Sequence, residues 1–210
     1  MIKKYKKQLV ISTLITLIPV LAGLLLWNSL PSKIAVHFGM NGTADGWAGK
    51  TFVVLIFPVI LAVVHLFTCM VVLNDPKKEN IGNKLLYICF ATVPVISCVC
   101  LFSIYALALG NKINISMISN ILIGILFIII GNYMTKNHQN YTVGIKLPWT
   151  LNSEENWNKT HRMASKLWMA GGIVLIMAGF TNINWLIIVD IIVVTFIPIV
   201  YSFILYKKGI

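Results

Sequence analysis

The chain has 210 residues, of which 58% are hydrophobic and only 11% are charged, and its mean hydropathy is +0.86. Soluble domains carry about 25% charged residues, so this chain lacks the polar side chains that would coat a soluble globular surface. The formal net charge is +11, but the basic residues stand at the ends of apolar runs, which argues against nucleic-acid binding. A membrane β-barrel is disfavoured too, because its strands would alternate apolar and polar residues.

The apolar runs predict an all-α fold, a polytopic membrane bundle of six transmembrane helices. Runs of roughly 20 apolar residues are long enough to cross a hydrocarbon core of about 30 Å. The first run is too long for the apolar core of a signal peptide, and no small-residue cleavage site follows it, so we interpret it as an uncleaved span. The predicted spans are 9–30, 51–73, 85–109, 116–135, 167–180 and 185–206.

Basic residues divide unevenly between the two sides of these spans. All of the 17 Lys and Arg residues except Lys33, Lys50 and Lys112 lie at the termini or in the loops 74–84 and 136–166. The positive-inside rule therefore predicts that both the N- and C-termini and those two loops are cytoplasmic, and that the remaining loops lie outside.

The chain is expected to divide into two parts. Residues 1–73 form a two-span N-terminal unit with an outer loop at 31–50, and residues 74–210 form a four-span core with a cytoplasmic stretch at 136–166. The four cysteines all lie inside predicted spans, where a free Cys packs as a small hydrophobic residue. No His or Cys stands with them at metal-site spacing in a loop, so neither a metal nor another cofactor is expected.

The outer loop combines turn-forming residues with a few polar and aromatic side chains. Glycine recurs through 39–49 with Asn41 and Asp45 between, a composition that favours positive φ and Asx turns. His37 and Asp45 offer two ligands whereas a structural zinc takes four, so we interpret the loop as a tight turn with Trp47 at the membrane interface. The residues expected to contact a peptide or to support the loop are His37, Asn41, Asp45, Trp47 and Lys50.

The cytoplasmic stretch contains the longest polar segment between apolar runs. Gly144 and Pro148 predict an extended segment, because a residue before proline avoids the α region. Asn152 and Glu155 resemble a capping box, in which each side chain bonds to an early backbone N–H. A helix is therefore predicted to start near Ser153 and to continue into the fifth span.

The first turns of that helix carry aromatic and basic residues. Trp157, His161 and Trp168 fall on roughly one face, and Glu155 is expected to pair with Lys159 one turn later. Two interpretations remain open. The segment is either an interfacial anchor with its Lys and Arg on anionic membrane lipids, or a docking surface for a cytoplasmic partner.

His65, Asp190 and Asn132 are polar residues that lie inside predicted spans. An ionisable group within a span is costly, so His65 and Asp190 are candidate functional residues. Asn132, near the inner end of the fourth span, is expected to make a helix–helix hydrogen bond.

Residues 144–151, with several residues between 155 and 164, resemble the signature of the SdpI family. Loop 37–50 is similar to a small bacterial domain of unknown function that often precedes the SdpI region. The following residues that carry the resemblance are Glu155, Trp157, Lys159, His161, Arg162 and Ala164. The signature usually has Arg where this chain has Lys146, which keeps the charge but loses the bidentate fork.

This resemblance implies a multi-pass protein of the bacterial cell membrane that gives immunity to a secreted toxin peptide of the sporulation-delaying, or cannibalism, type. It also implies a possible signalling role, in which the protein holds a transcriptional autorepressor at the membrane. The outer loop would then contact the toxin. The residues that would face the cytoplasmic partner are Lys146, Trp149, Trp157, His161 and Arg162.

An ion or small-solute transporter is the alternative function. Its support is His65, Asp190 and the prolines inside the spans, since broken helices and buried charges mark transport paths. The prolines concerned are Pro19, Pro58, Pro94 and Pro198. An enzyme is not expected, because the sequence contains no Ser–His, HExxH or paired-carboxylate motif.

Overall fold

The computed structural model describes residues 2–181 and 183–210, and it confirms an all-α bundle of the multi-span type. Within those residues, six helices are long and apolar enough to cross a membrane. They are Lys3–Leu25, Phe52–Leu73, Asn83–Ala108, Ile115–Met134, Glu154–Thr181 and Leu186–Lys207. Each of them contains one of the predicted spans, wholly or for most of its length.

The described residues form seven α-helices and two strands, besides two shorter helical segments. Helices suit a membrane because every backbone hydrogen bond is made within the segment. The strands are β1, Lys33–Phe38, and β2, Ala44–Gly49. The helices are α1 Ile2–Leu25, α2 Phe57–Leu73, α3 Asn83–Ala108, α4 Ile115–Met134, α5 Pro148–Asn152, α6 Glu154–Thr181 and α7 Leu186–Lys207, with a π-helical segment at Phe52–Ile56 and a 3-10 turn at Lys78–Asn80.

The outer loop is a β-hairpin, a strand pairing that the sequence did not predict. Strands β1 and β2 pair antiparallel, with register irregularities around His37. The turn between them needs Gly42, whose φ of 77° lies in the left-handed region that glycine tolerates. Oδ1 of Asn41 accepts hydrogen bonds from the backbone N–H and the hydroxyl of Thr43, at 3.1 and 2.7 Å. The predicted Asx-turn chemistry is therefore present, but inside a hairpin.

The hairpin is fixed by its inner face. Ile34 of β1 is 1% exposed and belongs to a buried apolar cluster with residues of the neighbouring helices. Ala48 of β2 packs against the same cluster. The other members are Leu30, Val53, Val54, Leu101 and Tyr105. This cluster lies in the first of two compact units, formed by the described part of Met1–Met70 together with Tyr87–Ser119.

The second compact unit comprises Val71–Leu86 and Asn120–Ile210. Small residues allow α4 and α6 to approach closely in it: a Cβ atom added to Gly124 would lie 2.6 Å from the carbonyl oxygen of Gly172. Helices α6 and α7 pack along each other, and Trp168 donates its indole N–H to the carbonyl of Val194 at 3.1 Å. The division of the chain at residue 73 stays a prediction.

Candidate functional site

Residues 74–82 and 136–162 fold into a hydrogen-bonded layer, called here the polar cap. Asp75 is 2% exposed and anchors it. One carboxylate oxygen accepts from the backbone N–H of Tyr141 at 2.9 Å and from the hydroxyl of Thr142 at 2.7 Å, and the other accepts from the N–H of Lys77 at 2.7 Å. A buried carboxylate with three donors is well satisfied, so the two loops are held as one structure.

Two buried asparagines shape the longer loop. Oδ1 of Asn140 accepts from the N–H groups of Thr142 and Val143 at 3.0 and 2.7 Å, and its Nδ2 donates to Oδ1 of Asn137 at 2.9 Å. Nδ2 of Asn137 donates in turn to the carbonyl of Val143 at 2.7 Å. These bonds join the two asparagine side chains to the backbone of the same loop. The conformation of the loop is therefore fixed by internal hydrogen bonds.

Helix α6 begins where the sequence predicts, but with another cap. The N–H of Asn156 donates to the hydroxyl of Ser153 at 3.1 Å, so Ser153 is the capping residue in place of Asn152. Glu155 does not reach back to close a capping box. It pairs with Lys159 at 2.7 Å, which confirms the expected ion pair one turn apart.

Trp157 and His161 lie in the interior of the polar cap, with exposed fractions of 0 and 1%. Their rings stack with centroids 4.0 Å apart. The indole N–H of Trp157 donates to the carbonyl of Asn137 at 2.8 Å. Gly144 passes over both rings with a φ of 122°, and a Cβ atom there would lie 2.9 Å from the indole. The two residues therefore hold the loop against α6 from inside, where a partner does not reach them.

The hydrogen bonds of His161 define its tautomer. Nε2 lies 3.0 Å from the backbone nitrogen of Ile145, and an N–H can only donate, so Nε2 is the acceptor. Nδ1 lies 2.8 Å from the carbonyl oxygen of Trp157, which can only accept, so Nδ1 carries the proton. The ring is neutral in this arrangement, and a second proton on Nε2 would break the bond from Ile145.

Trp149 lies in the short helix α5, which corrects the extended segment predicted through this residue. The chain is extended only as far as Leu147, and Pro148 opens the helix, a position that suits its fixed φ. The indole N–H of Trp149 donates to the hydroxyl of Ser202 at 2.9 Å, and its ring stacks on Tyr206 of α7. Trp149 thereby ties the polar cap to α7 and is half-buried.

Of the five residues predicted to face a cytoplasmic partner, Lys146 and Arg162 have exposed side chains. Lys146 donates to the carbonyl of Thr142 at 2.8 Å, close to its own backbone. Any partner that binds the polar cap would meet these cations, and the three aromatic residues would support the surface beneath them.

On the hairpin, three of the five predicted residues share an exposed face. Nδ1 of His37 lies 2.5 Å from a carboxylate oxygen of Asp45, and the two side chains are 74 and 51% exposed. Trp47 is 58% exposed beside them. Lys50 points elsewhere and donates to the carbonyls of Trp27 and Leu30, at 2.8 and 3.1 Å, where it caps the end of the first helix.

Metal binding has no support in the described residues, where no group of three or more His, Cys, Asp and Glu side chains is positioned to hold an ion.

The two ionisable residues inside spans differ in their surroundings. His65 is fully buried in the first unit, with Nε2 2.7 Å from the hydroxyl of Ser12 and the sulfur of Cys69 within 3.8 Å. Asp190 is 8% exposed in the second unit, and its Oδ2 has no hydrogen-bond partner among the residues that the structure describes. The carboxyl group packs on Gly171 of α6.

Asn132 does not make the predicted helix–helix hydrogen bond: it is exposed and has no hydrogen bond among residues 2–181 and 183–210. Asn120, closer to the other end of α4, instead donates from its Nδ2 to Oδ1 of Asn184, in the turn between α6 and α7, at 3.2 Å. The sequence does not show which of the two asparagines is buried, because both lie on α4, whose composition is almost uniformly apolar.

Several residues that build the polar cap were not singled out from the sequence. The Asn-x-x-Asn spacing of Asn137 and Asn140 is the sequence feature that could have indicated them, since asparagine side chains commonly bond to backbone two or three residues away. The other members were Asp75, Thr150 and Asn156, all buried.

The fold and the polar cap define a multi-pass membrane protein with a structured loop layer, and comparison with known proteins agrees. Residues 136–202 match the model of the SdpI/YfhL protein family, and residues 14–62 match a domain of unknown function, DUF1648. Over 205 residues, 96% of this chain and 97% of the relative, the sequence is 27% identical to the immunity protein SdpI of Bacillus subtilis (strain 168). No solved structure matches the chain. The predicted resemblance and the bacterial membrane location are thereby confirmed.

Proposed function

We propose that the chain is an immunity protein of the bacterial cell membrane, which protects its host from a secreted peptide toxin of the sporulation-delaying type. The observation that carries this proposal is the similarity to the immunity protein SdpI along 96% of the chain. Because the similarity runs through both the hairpin and the polar cap, both are expected to serve the same role.

The hairpin faces the outside in this proposal, and the polar cap and both termini face the cytoplasm. The uneven distribution of Lys and Arg supports this orientation, since the loops of the polar cap and the termini carry nearly all of them. The toxin then arrives on the hairpin side and any cytoplasmic partner on the side of the polar cap.

The exposed face of the hairpin contacts the toxin. Trp47 offers a large aromatic surface, and aromatic residues dominate the energy of many protein–peptide contacts. His37 and Asp45 add a polar pair on the same face, with Nδ1 of His37 2.5 Å from Oδ1 of Asp45. The buried side chain of Ile34 keeps this face in place, so little ordering is required when the peptide binds. Asn41 and Lys50 act by maintaining the hairpin and its attachment.

The test is survival of a toxin-sensitive host that expresses the chain. Immunity predicts a rise in survival for the wild type and a loss of that gain for Trp47→Ala. The matched control is Lys112→Ala, an exposed residue in a different loop of the same proposed side. Equal survival of hosts with and without the wild-type chain would overturn the immunity function. Unchanged protection by Trp47→Ala at equal protein level would overturn the role of the hairpin face.

The polar cap holds a transcriptional repressor at the membrane when toxin is present. Lys146 and Arg162 supply the exposed cations for this contact, and Trp149, Trp157 and His161 keep the loop in the required shape. In cells, we expect Lys146→Ala and Arg162→Ala to release a fluorescently labelled repressor from the membrane without changing the amount of the membrane protein. Lys166→Ala is the control, because this residue is exposed one turn after Arg162. A repressor that stays bound in both variants would contradict this assignment.

Transport of an ion or small solute remains the second candidate, and one observation favours it. Oδ2 of Asp190 is buried without a hydrogen-bond partner in the described residues, as expected of a carboxyl group that exchanges a proton or a cation. Proton-coupled uptake into liposomes that depends on Asp190 and disappears in Asp190→Asn would establish transport. Absence of uptake by the wild type would exclude it.

A further inference from the structure

A cavity of about 190 Å³ opens beside α6 at the edge of the polar cap. It is much larger than the roughly 10–15 Å³ that a single water molecule requires. Its lining comes from the end of α4, the following loop and the first turns of α6, all within the second unit. The lining residues are Met134, Thr135, Asn137, Asn158, His161 and Arg162.

Two of the polar lining residues already make hydrogen bonds within the polar cap. Both ring nitrogens of His161 are engaged, one with the N–H of Ile145 and the other with the carbonyl of Trp157. The side chain of Asn137 is engaged through Nδ2 with Val143 and through Oδ1 with Asn140. These residues form a rigid wall, and they are not the groups that would bind a ligand.

The other three polar lining residues are unused. The guanidinium of Arg162, the amide of Asn158 and the hydroxyl of Thr135 have no hydrogen-bond or ion-pair partner within 2–181 and 183–210. Asn158 and Arg162 stand one helical turn apart and so lie on the same face of α6. One permanent cation and two neutral donors thus surround one space.

The cavity carries a positive charge without a compensating carboxylate. Glu155 is engaged with Lys159 at 2.7 Å, and neither residue lines the cavity. Glu154 is exposed one turn before Asn158 and does not line it either. An anion with several acceptor oxygens is the chemistry that fits, since the planar fork of arginine binds two oxygens of a phosphate at once.

We propose that this cavity binds the phosphate of a phosphate ester through Arg162, Asn158 and Thr135. Met134 is the last residue of an apolar helix that is able to span the membrane, so the cavity stands where that span ends and lipid headgroups begin. An anionic phospholipid headgroup is therefore one source of the phosphate, and a small soluble phosphate ester is the other. This inference does not rest on the proposed immunity function, but the cavity shares Arg162 with the proposed repressor contact, so its test measures phosphate binding with no repressor present.

The experiment uses the full chain, purified and stripped of lipid in a detergent that contains no phosphate. Phosphatidylglycerol, a neutral glycolipid and glycerol 1-phosphate are titrated separately, and binding is measured by native mass spectrometry. The wild type is expected to bind phosphatidylglycerol, glycerol 1-phosphate or both, and not the glycolipid. Binding of phosphatidylglycerol alone assigns the site to the lipid headgroup, and equal binding or competition by glycerol 1-phosphate assigns it to a soluble ester.

Arg162→Gln is expected to weaken binding by at least about tenfold, because hydrogen bonds to a charged group are lost. Arg162→Lys keeps the positive charge but not the two parallel N–H donors of the guanidinium, so its affinity should lie between those of the wild type and Arg162→Gln. Asn158→Leu should also weaken binding. Lys166→Gln is the matched control, an exposed cation one turn later that does not line the cavity. A control that weakens binding as much as Arg162→Gln, or tight binding by Arg162→Gln with an unchanged melting temperature, would overturn the proposal.

Discussion

The indole of Trp168 and the ring of Pro198 are related through a single carbonyl group. Pro198 lies inside α7 and has no N–H, so the carbonyl of Val194, four residues earlier, has no donor within its own helix. Trp168 of α6 donates its indole N–H to that oxygen at 3.1 Å. A proline in a buried helix is thus accommodated by a side chain from its neighbour.

The same relationship occurs in the first unit. Pro19 leaves the carbonyl of Ile15 without an intrahelical donor, and the sulfur of Cys98 lies 3.4 Å from that oxygen as a weak donor. Two of the four prolines that suggested broken transport helices therefore have a structural explanation. The remaining support for transport is Asp190, His65 and the other two prolines, Pro58 and Pro94.

We expect Trp168→Phe to lower the free energy of unfolding by about 0.6–1.7 kcal/mol, which spans the mean and the maximum measured for hydrogen bonds between membrane helices. Phenylalanine keeps an aromatic ring against Phe127, whose centroid lies 4.6 Å from that of Trp168. In a Pro198→Ala background, alanine supplies the missing N–H, so the same substitution should cost less. Reversible unfolding in mixed micelles measures both values, and an equal cost in the two backgrounds would contradict this coupling.

Gly144→Ala should destabilise the polar cap by about 1–3 kcal/mol, because its φ of 122° is strained for any other residue and a Cβ atom would collide with the indole of Trp157. Gly82→Ala is the control, since a Cβ atom there meets nothing within 4 Å. Limited proteolysis in detergent, with cleavage sites mapped to the loop after α4, distinguishes the variants. Equal resistance of both would count against the observed packing.

Asp75→Asn should loosen the loop that contains Tyr141 and Thr142. The carboxylate accepts three hydrogen bonds. In the asparagine variant an NH₂ group, which cannot accept, replaces one of the two oxygens, so at least one of these bonds is lost. We expect a loss of about 1–3 kcal/mol and faster hydrogen exchange at the N–H of Tyr141. Glu79→Gln is the matched control, an exposed acid in the same loop, and should leave exchange unchanged.

Gly171→Ala should destabilise the pair α6 and α7, because the new methyl group would overlap the carboxyl group of Asp190. Asp190→Ala removes that group, so the double variant should be more stable than Gly171→Ala alone. The folded fraction after heating in detergent gives the comparison. If the second substitution brings no recovery, the two side chains are not in the contact described.

The features that followed from sequence are those that depend on composition over many residues. Six apolar runs are enough to predict the spans, and the polar residues before Trp157 are enough to predict where α6 begins. The capping residue is Ser153 rather than Asn152, because neighbouring polar residues compete for the same N–H and only the chain path decides between them. The extended region was predicted too long, since Pro148 is as favourable at the start of a helix as after an extended residue.

The polar cap and the hairpin could not be predicted in the same way. The burial of Trp157 depends on Asn137 and Gly144, which lie more than ten residues before it and reach it only after the loop has folded back. The second strand of the hairpin, Ala44–Gly49, contains two glycines and an aspartate, residues that are depleted in strands. Its pairing with β1 is stabilised by the contacts of Ile34 and Ala48 with the apolar cluster. These contacts involve residues far away in the sequence, so the local sequence does not predict them.

The side chains that hold the long loop bond to its backbone as well as to one another. Asn137, Asn140 and His161 all contact main-chain atoms in this way. Tyr141 and Lys146 have exposed side chains, although Lys146 also donates to the carbonyl of Thr142 at 2.8 Å. The loop is therefore a scaffold with interchangeable outward positions, so residues 141 and 146 could be exchanged to retune what the surface recognises while its shape is kept.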